Sequence, residues 1–79
     1  MKQYVATFHT HLGALMAFKA LGKTGAAAQM APVPRKLSSS CGTCVFYTSS
    51  EPHLELMGEE VEGVYEMTGD TYNQIMSND

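Results

Sequence analysis

The sequence has few basic residues, only two cysteines, no tryptophan and no long apolar run. Its 79 residues include five Lys and Arg against eight Asp and Glu, which gives a net charge of −3. Proteins that bind nucleic acid or anionic membranes usually present a basic face, so we expect neither kind of partner. No run reaches the roughly 18 apolar residues of a membrane-spanning helix, and the polar start does not resemble a signal peptide. We therefore expect a cytoplasmic protein.

The length allows one domain with a small core. A chain of this size buries only about 60% of the surface that its unfolded form exposes. A deep substrate cleft is difficult to build in such a core, so we expect any site to lie on a loop or between subunits. This favours a carrier or binding protein over an enzyme.

The hydrophobic pattern predicts alternating strands and helices. Thr10 is a suitable helix cap, and the helix that follows would bury Leu12, Leu15, Phe18 and Leu21. Ser49 or Ser50 would begin a second, shorter helix that ends at Gly58. The predicted strands are residues 2–8, an edge strand within 25–33, residues 43–48 and residues 61–67.

This order predicts an α+β fold of the ferredoxin-like βαββαβ type, with a four-stranded antiparallel sheet and two helices on one face. Residues 1–67 would form the single domain, and residues 68–79 a polar tail, frayed or forming a marginal turn of helix. We expect removal of this tail to change stability by less than about 1 kcal/mol.

Cys41 and Cys44 form the CxxC motif of the chain and are its main candidates for chemistry. In thiol–disulfide oxidoreductases such a pair opens a helix, whereas here the strand-forming run VFYT follows. A structural zinc site needs four ligands, and one CxxC supplies two. Histidines or a second subunit would have to supply the others, so we expect no metal and no other cofactor.

The segment PVPRKLSSSCGTC, with the opening strand YVATF and the closing strand EGVYEM, gives the chain a family resemblance. Residues 3–67 resemble the selenium/sulfur carrier-like proteins, small bacterial and archaeal proteins of unassigned function. The resemblance implies that Cys41 accepts sulfur or selenium as a persulfide or perselenide. Protein donors and acceptors would then be the partners. Candidate binding groups around this thiol are Arg35, Ser38, Ser39, Ser40 and the Gly42 amide.

Two other functions remain open at the level of sequence. The chain could be a homodimeric interaction or regulatory module with incidental thiols, or a redox sensor that closes a Cys41–Cys44 disulfide. A homodimer is expected in any case, because two short helices cannot cover all four aromatic residues Tyr4, Phe8, Phe46 and Tyr65.

The predicted topology also places groups around the cysteines. In a split βαβ arrangement the first and third strands are antiparallel neighbours, so the end of strand 2–8 and the start of the first helix lie near Cys41. His9, His11 and the helix amino terminus would then face the loop that carries this thiol. We therefore expect Cys41 to react faster than Cys44, which enters a strand.

Overall fold

The structure, a computed structural model, describes residues 1–78 and contains one α-helix and five β-strands. The elements are β1 (Lys2–Phe8), α1 (His11–Lys23), β2 (Ala27–Pro32), β3 (Thr43–Ser49), a 3₁₀ turn (Leu54–Leu56), β4 (Val61–Thr68) and β5 (Thr71–Ser77). Within residues 1–78, no helix has the length and apolar character needed to cross a membrane.

The five strands form one antiparallel sheet in the order β2-β3-β1-β4-β5. β1 is central, and its residues 4–8 are all buried, because apolar side chains lie on both faces of this strand. Val5, for example, lies opposite Phe46 of β3 and Tyr65 of β4. The predicted antiparallel pairing of β1 with β3 at the centre of the sheet is confirmed.

Helix α1 covers one face of the sheet through small side chains. Thr10 caps it by accepting the Gly13 N–H at 3.0 Å, as the sequence predicted. The buried face consists mainly of Ala14, Ala17 and Leu21, whereas Leu12 is 63% exposed. The predicted core stripe is therefore wrong at Leu12, because the alanine side of the helix packs on the large side chains of the sheet.

Gly13 is required by a close approach of two segments. A Cβ atom at this position would lie 2.6 Å from the Cβ of Glu60, which is closer than van der Waals contact permits. The absence of a side chain at Gly13 lets the segment before β4 pass directly over the first turn of α1.

Two sequence predictions about the second half of the chain are corrected by the structure. The predicted second helix is reduced to one 3₁₀ turn, which follows His53 in a left-handed conformation (φ 51°) and precedes Gly58 (φ 79°). Residues 71–77 of the predicted tail form β5, which follows a tight turn with Gly69 at φ 59°. The fold is a small α+β domain with one helix and five strands, so the ferredoxin-like form with four strands and two helices is not confirmed.

The two faces of the sheet differ in how they are covered. Tyr4 and Phe8 are buried in the cluster beneath α1, whereas Phe46 and Tyr65 lie half-buried on the opposite side. We call this opposite side the outer face, defined by strand register as Gln3, Val5, Thr7, Ala27, Gln29, Ala31, Cys44, Phe46, Thr48, Gly63, Tyr65, Met67, Tyr72, Gln74 and Ser77. It is covered in part, because Val5, Thr7 and Cys44 on it are at most 1% exposed.

Candidate functional site

The loop between β2 and β3 carries Cys41 and extends along one face of the sheet, from the end of β2 to the turn between β4 and β5. We call residues 33–42 the cysteine loop. Its two ends are joined where the Val33 N–H donates to the Gly42 carbonyl at 3.1 Å. Farther along, the Ser39 hydroxyl donates to the Phe8 carbonyl at 2.7 Å, and Lys36 Nζ donates to the Asp70 carbonyl at 2.8 Å. The loop is therefore held at its base, at the end of β1 and at the turn before β5.

The Cys41 thiol is half-buried and held by local hydrogen bonds. Its sulfur accepts the Thr43 N–H at 3.4 Å, and as a thiol it can donate to the Thr43 carbonyl, also at 3.4 Å. The Ser39 hydroxyl lies 3.9 Å from the same sulfur. Cys41 also packs against the edge of the core. Its sulfur is thus fixed in position and still partly open to solvent.

The Cys44 thiol is fully buried within β3. It lies opposite Thr7 of β1 and Ala31 of β2, and its S–H donates to the Pro32 carbonyl at 3.6 Å. Burial, with a smaller contribution from the Cys41 thiol, raises the pKa of Cys44 to about 11. The two cysteines therefore occupy different environments despite their CxxC spacing.

Glu62 of β4 anchors the cysteine loop from the opposite side. Its carboxylate accepts the Ser40 N–H at 2.8 Å and the Ser39 and Ser40 hydroxyls at 3.0 and 3.3 Å. The His9 ring nitrogen Nδ1 lies 3.7 Å from the same carboxylate. Partial burial favours the neutral acid, but these donors and His9 outweigh it, so that the pKa of Glu62 lies below its ordinary value.

The structure brings together some of the predicted site residues and not others. Ser39, Ser40 and His9 meet at Glu62, and His11 Nδ1 lies 3.4 Å from Thr43 Oγ1, which places the start of α1 beside the loop. The backbone donor to the Cys41 sulfur is the Thr43 amide rather than the predicted Gly42 amide.

Arg35 and Ser38 lie on the exposed side of the loop. Within residues 1–78 neither makes a hydrogen bond or ion pair with the Cys41 cluster, and Ser38 lines a shallow hollow with Tyr65 and Tyr72 instead. Sequence reasoning missed Glu62, because an acid in a strand ordinarily faces water and nothing local links it to a loop more than 20 residues earlier.

A separate group of potential metal ligands lies at the other end of β3. One ligand atom each from Glu51, His53 and Glu55 lies within 4.8 Å of the others. Both carboxylates are exposed, and their oxygens lie 3.3 and 3.7 Å from His53 Nδ1. The length of β3, about 20 Å at ~3.3 Å per residue, separates this group from Cys41.

The Glu62 contacts lead to a prediction about acid stability. We expect Glu62→Gln to reduce the free energy of unfolding by about 1–2 kcal/mol at neutral pH, because charge-assisted hydrogen bonds are lost. The pKa of Glu62 is lower in the folded state than the value of about 4.3 in an unfolded chain. Its contribution is therefore present above about pH 4.3 and is lost as the pH falls through the folded-state pKa.

Urea unfolding as a function of pH measures this difference. Glu66→Gln is the matched control, since Glu66 lies on the same strand and makes one ion pair with Lys2 at 3.8 Å. We expect that control to change stability by at most about 0.5 kcal/mol. Equal losses in the two variants at neutral pH would show that Glu62 does not anchor the loop.

Comparisons with known proteins agree with the resemblance seen in the sequence. The family model described as "Putative Se/S carrier protein-like" matches residues 3–66, a span that includes Cys41, Cys44 and Glu62 and ends before β5. The chain is 31% identical to the uncharacterized protein YtiA of Escherichia coli (strain K12) over 64 aligned residues. The aligned residues make up 81% of this chain and 68% of YtiA. No solved structure matches. The chain belongs to the Se/S carrier protein-like family.

Proposed function

We propose that this protein carries sulfur or selenium on Cys41, as a persulfide or perselenide. The observation that carries the proposal is the contrast between the two thiols. Cys41 is partly open on an anchored loop, with an amide N–H directed at its sulfur, whereas Cys44 is fully buried. The name of the family supports the same class of cargo.

The proposed transfer is a thiol exchange without net oxidation. The Cys41 sulfur attacks the terminal sulfur of a donor persulfide, R–S–SH, and the S–S bond of the donor breaks. The donor thiolate leaves and takes up the proton released by Cys41, which gives Cys41–S–SH and R–SH. A donor R–S–SeH would deliver selenium in the same way. A second exchange with an acceptor thiol returns Cys41 to its resting state.

The protein's own residues supply a fixed sulfur and nearby hydrogen-bond donors. The Thr43 N–H holds the Cys41 sulfur, and the Ser39 hydroxyl, itself placed by Phe8 and Glu62, lies beside it. A fixed and accessible sulfur suits exchange with protein donors and acceptors. We place this exchange in the cytoplasm, where thiols remain reduced.

The redox-sensor hypothesis receives less support from the geometry. Closing a Cys41–Cys44 disulfide requires the two sulfurs to meet, and one of them would have to act as a thiolate. Cys44 is 0% exposed and its pKa is raised to about 11, so it is protonated at neutral pH. The interaction-module hypothesis concerns another surface and is compatible with a carrier.

Intact-mass spectrometry tests the carrier proposal directly. Reduced protein incubated with glutathione persulfide is expected to gain about 32 Da, and with the corresponding selenium compound about 80 Da, at a single site. Cys44→Ala should retain the gain and Cys41→Ser should lose it. A gain that is unchanged in Cys41→Ser would contradict the proposal, and a loss of about 2 Da in the wild type would favour the redox sensor.

A further inference from the structure

The two cysteine side chains of the CxxC motif lie on opposite sides of the sheet. Cys41 packs against the edge of the cluster beneath α1, which includes Phe8 and Val61. Cys44 is 0% exposed but does not belong to that cluster, because alternation along β3 directs its side chain to the outer face. Val45, the next residue, is part of the cluster. A disulfide therefore requires one sulfur to pass around the end of the sheet before the two can meet.

Cys41 is the thiol that is free to make this movement, because the other cysteine is held within β3 by pairing to both neighbouring strands. Ser40, which directly precedes Cys41, donates its N–H to Glu62 at 2.8 Å and its hydroxyl at 3.3 Å. The Ser39 hydroxyl lies 3.0 Å from the same carboxylate. These bonds must open before Cys41 can leave its side of the sheet.

We propose that Glu62 is a positioning residue that protects sulfur on Cys41 from attack by Cys44. The inference rests on the proposed function and concerns a side reaction of the loaded carrier. In that reaction the Cys44 sulfur attacks the inner sulfur of Cys41–S–SH, and the S–S bond of the persulfide breaks. A Cys41–Cys44 disulfide forms, and the outer sulfur takes up the proton of Cys44 and leaves as hydrogen sulfide.

This side reaction needs no external oxidant, because the outer sulfur is reduced as Cys44 is oxidised. CxxC spacing permits the disulfide, so a carrier with this motif must keep its two thiols apart if the cargo is to reach an acceptor. Burial, which raises the pKa of Cys44 to about 11, slows the attack, and the placement of Cys41 on the other side of the sheet prevents contact. Both features keep the sulfur on Cys41.

The position of Glu62 distinguishes it from the other anchor of the cysteine loop. Lys36 bonds to the Asp70 carbonyl five residues before Cys41, at the turn that follows β4. Glu62 lies near the start of β4 and bonds to the residue next to Cys41. Loss of the Glu62 bonds therefore frees the cysteine itself, whereas loss of the Lys36 bond frees the distant part of the loop.

The test uses one equivalent of methyl methanethiosulfonate, which places an S–S–CH₃ group on Cys41 whether or not the protein carries sulfur. Attack by Cys44 releases methanethiol and leaves the internal disulfide, and intact-mass spectrometry follows both species with time. We expect Glu62→Gln to lose the methylthio group at least about tenfold faster than the wild type, because weaker anchoring raises the population of the open loop.

Two further variants isolate the cause. Glu66→Gln, the matched control on the same strand, should lose the group within about twofold of the wild-type rate, because Glu66 pairs with Lys2 and makes no bond to the cysteine loop. The double variant Glu62→Gln and Cys44→Ala should retain the group as long as the wild type does. A purely structural loss of stability would not depend on Cys44 in this way.

Two results would overturn the proposal. One is a Glu62→Gln variant that loses the methylthio group no faster than the wild type, and the other is a faster loss that persists when Cys44 is replaced by alanine. Circular dichroism verifies that each variant is folded. Ser39→Ala, which removes one of the contacts with Glu62, is the second variant and should show a smaller acceleration that also depends on Cys44.

Loading with glutathione persulfide separates this inference from the carrier function. A wild-type chain that takes up no sulfur contradicts the proposed function, whereas the methylthio measurement decides the role of Glu62 in either case. If the persulfide does load, its loss as hydrogen sulfide should follow the same order among the variants as the loss of methanethiol.

Discussion

A chain that ends at Asp70 is expected to lose about 3 kcal/mol or more of stability and to melt at least about 12 °C below the full chain. β5 pairs with β4 over six residue pairs, and Met76 packs against the core from the inner face. Its loss would leave β4 as an unpaired edge and would expose the apolar surface that the partly buried Met76 covers. Full burial of such a side chain contributes about 1.5–3 kcal/mol. This reverses the expectation, drawn from the polar composition of residues 68–79, that the tail contributes little.

Two single substitutions distinguish the contribution of Met76 packing from the contribution of strand pairing between β5 and β4. Met76→Ala removes a side chain in contact with the core and should cost about 2 kcal/mol. Ile75→Ala, one residue earlier, alters a side chain that is 41% exposed and should cost much less. Thermal melts of the truncated chain and both variants measure these effects. If truncation leaves the melting temperature unchanged, β5 does not belong to the folded domain.

Cys41 is expected to react with iodoacetamide at least about 100-fold faster than Cys44 at neutral pH. The thiolate is the reacting form, and burial raises the pKa of Cys44 from an ordinary value of 9.0 to about 11, which reduces its thiolate fraction about 100-fold. Its 0% exposure slows reagent access further. In contrast, Cys41 lies half-buried on its loop.

The variants Cys41→Ser and Cys44→Ala isolate each thiol, and alkylation in denaturing urea provides the reference in which both should react alike. In Cys41→Ser the slow rate should continue to rise as the pH increases toward about 11. Because the pKa of Cys44 is higher in the folded state, its contribution to stability is complete below about pH 8.5 and is lost as the pH rises toward 11. Comparable native rates for the two thiols would contradict both the burial of Cys44 and its exclusion from the proposed chemistry.

The sequence predicted the elements that have strong local signals. Alternating and β-branched residues identified β1 and β3, and the Thr10 cap located the start of α1. The prediction of a frayed tail was wrong because it relied on the polar composition of residues 68–79. The turn residues Thr68-Gly69-Asp70-Thr71 indicate a hairpin instead. The prediction of a second helix was wrong because Pro52 and the left-handed conformation of His53 leave room for only one 3₁₀ turn.

The candidate site was predictable in its location but not in its contacts. Loop composition pointed to Cys41, and the split βαβ topology correctly placed His11 near the cysteines. The role of Glu62 depends on a bond from Ser40 that spans 22 residues, and such pairings become visible only once the strands are in register. The burial of Cys44 likewise depends on its place at the start of β3, opposite Thr7 and beside Pro32 at the base of the cysteine loop, and CxxC spacing alone carries no such information.

The central position of β1 has a consequence for the order in which the chain can fold during synthesis. β1 is made first, but its two neighbours in the sheet begin only at residues 43 and 61. Until Val61–Thr68 has left the ribosome, the first strand therefore keeps one edge unpaired. Contacts between residues so far apart in sequence slow folding, because a long loop must close before the contact is gained. The sheet therefore cannot be completed until β4 has emerged, and its first-synthesised strand then becomes its central strand.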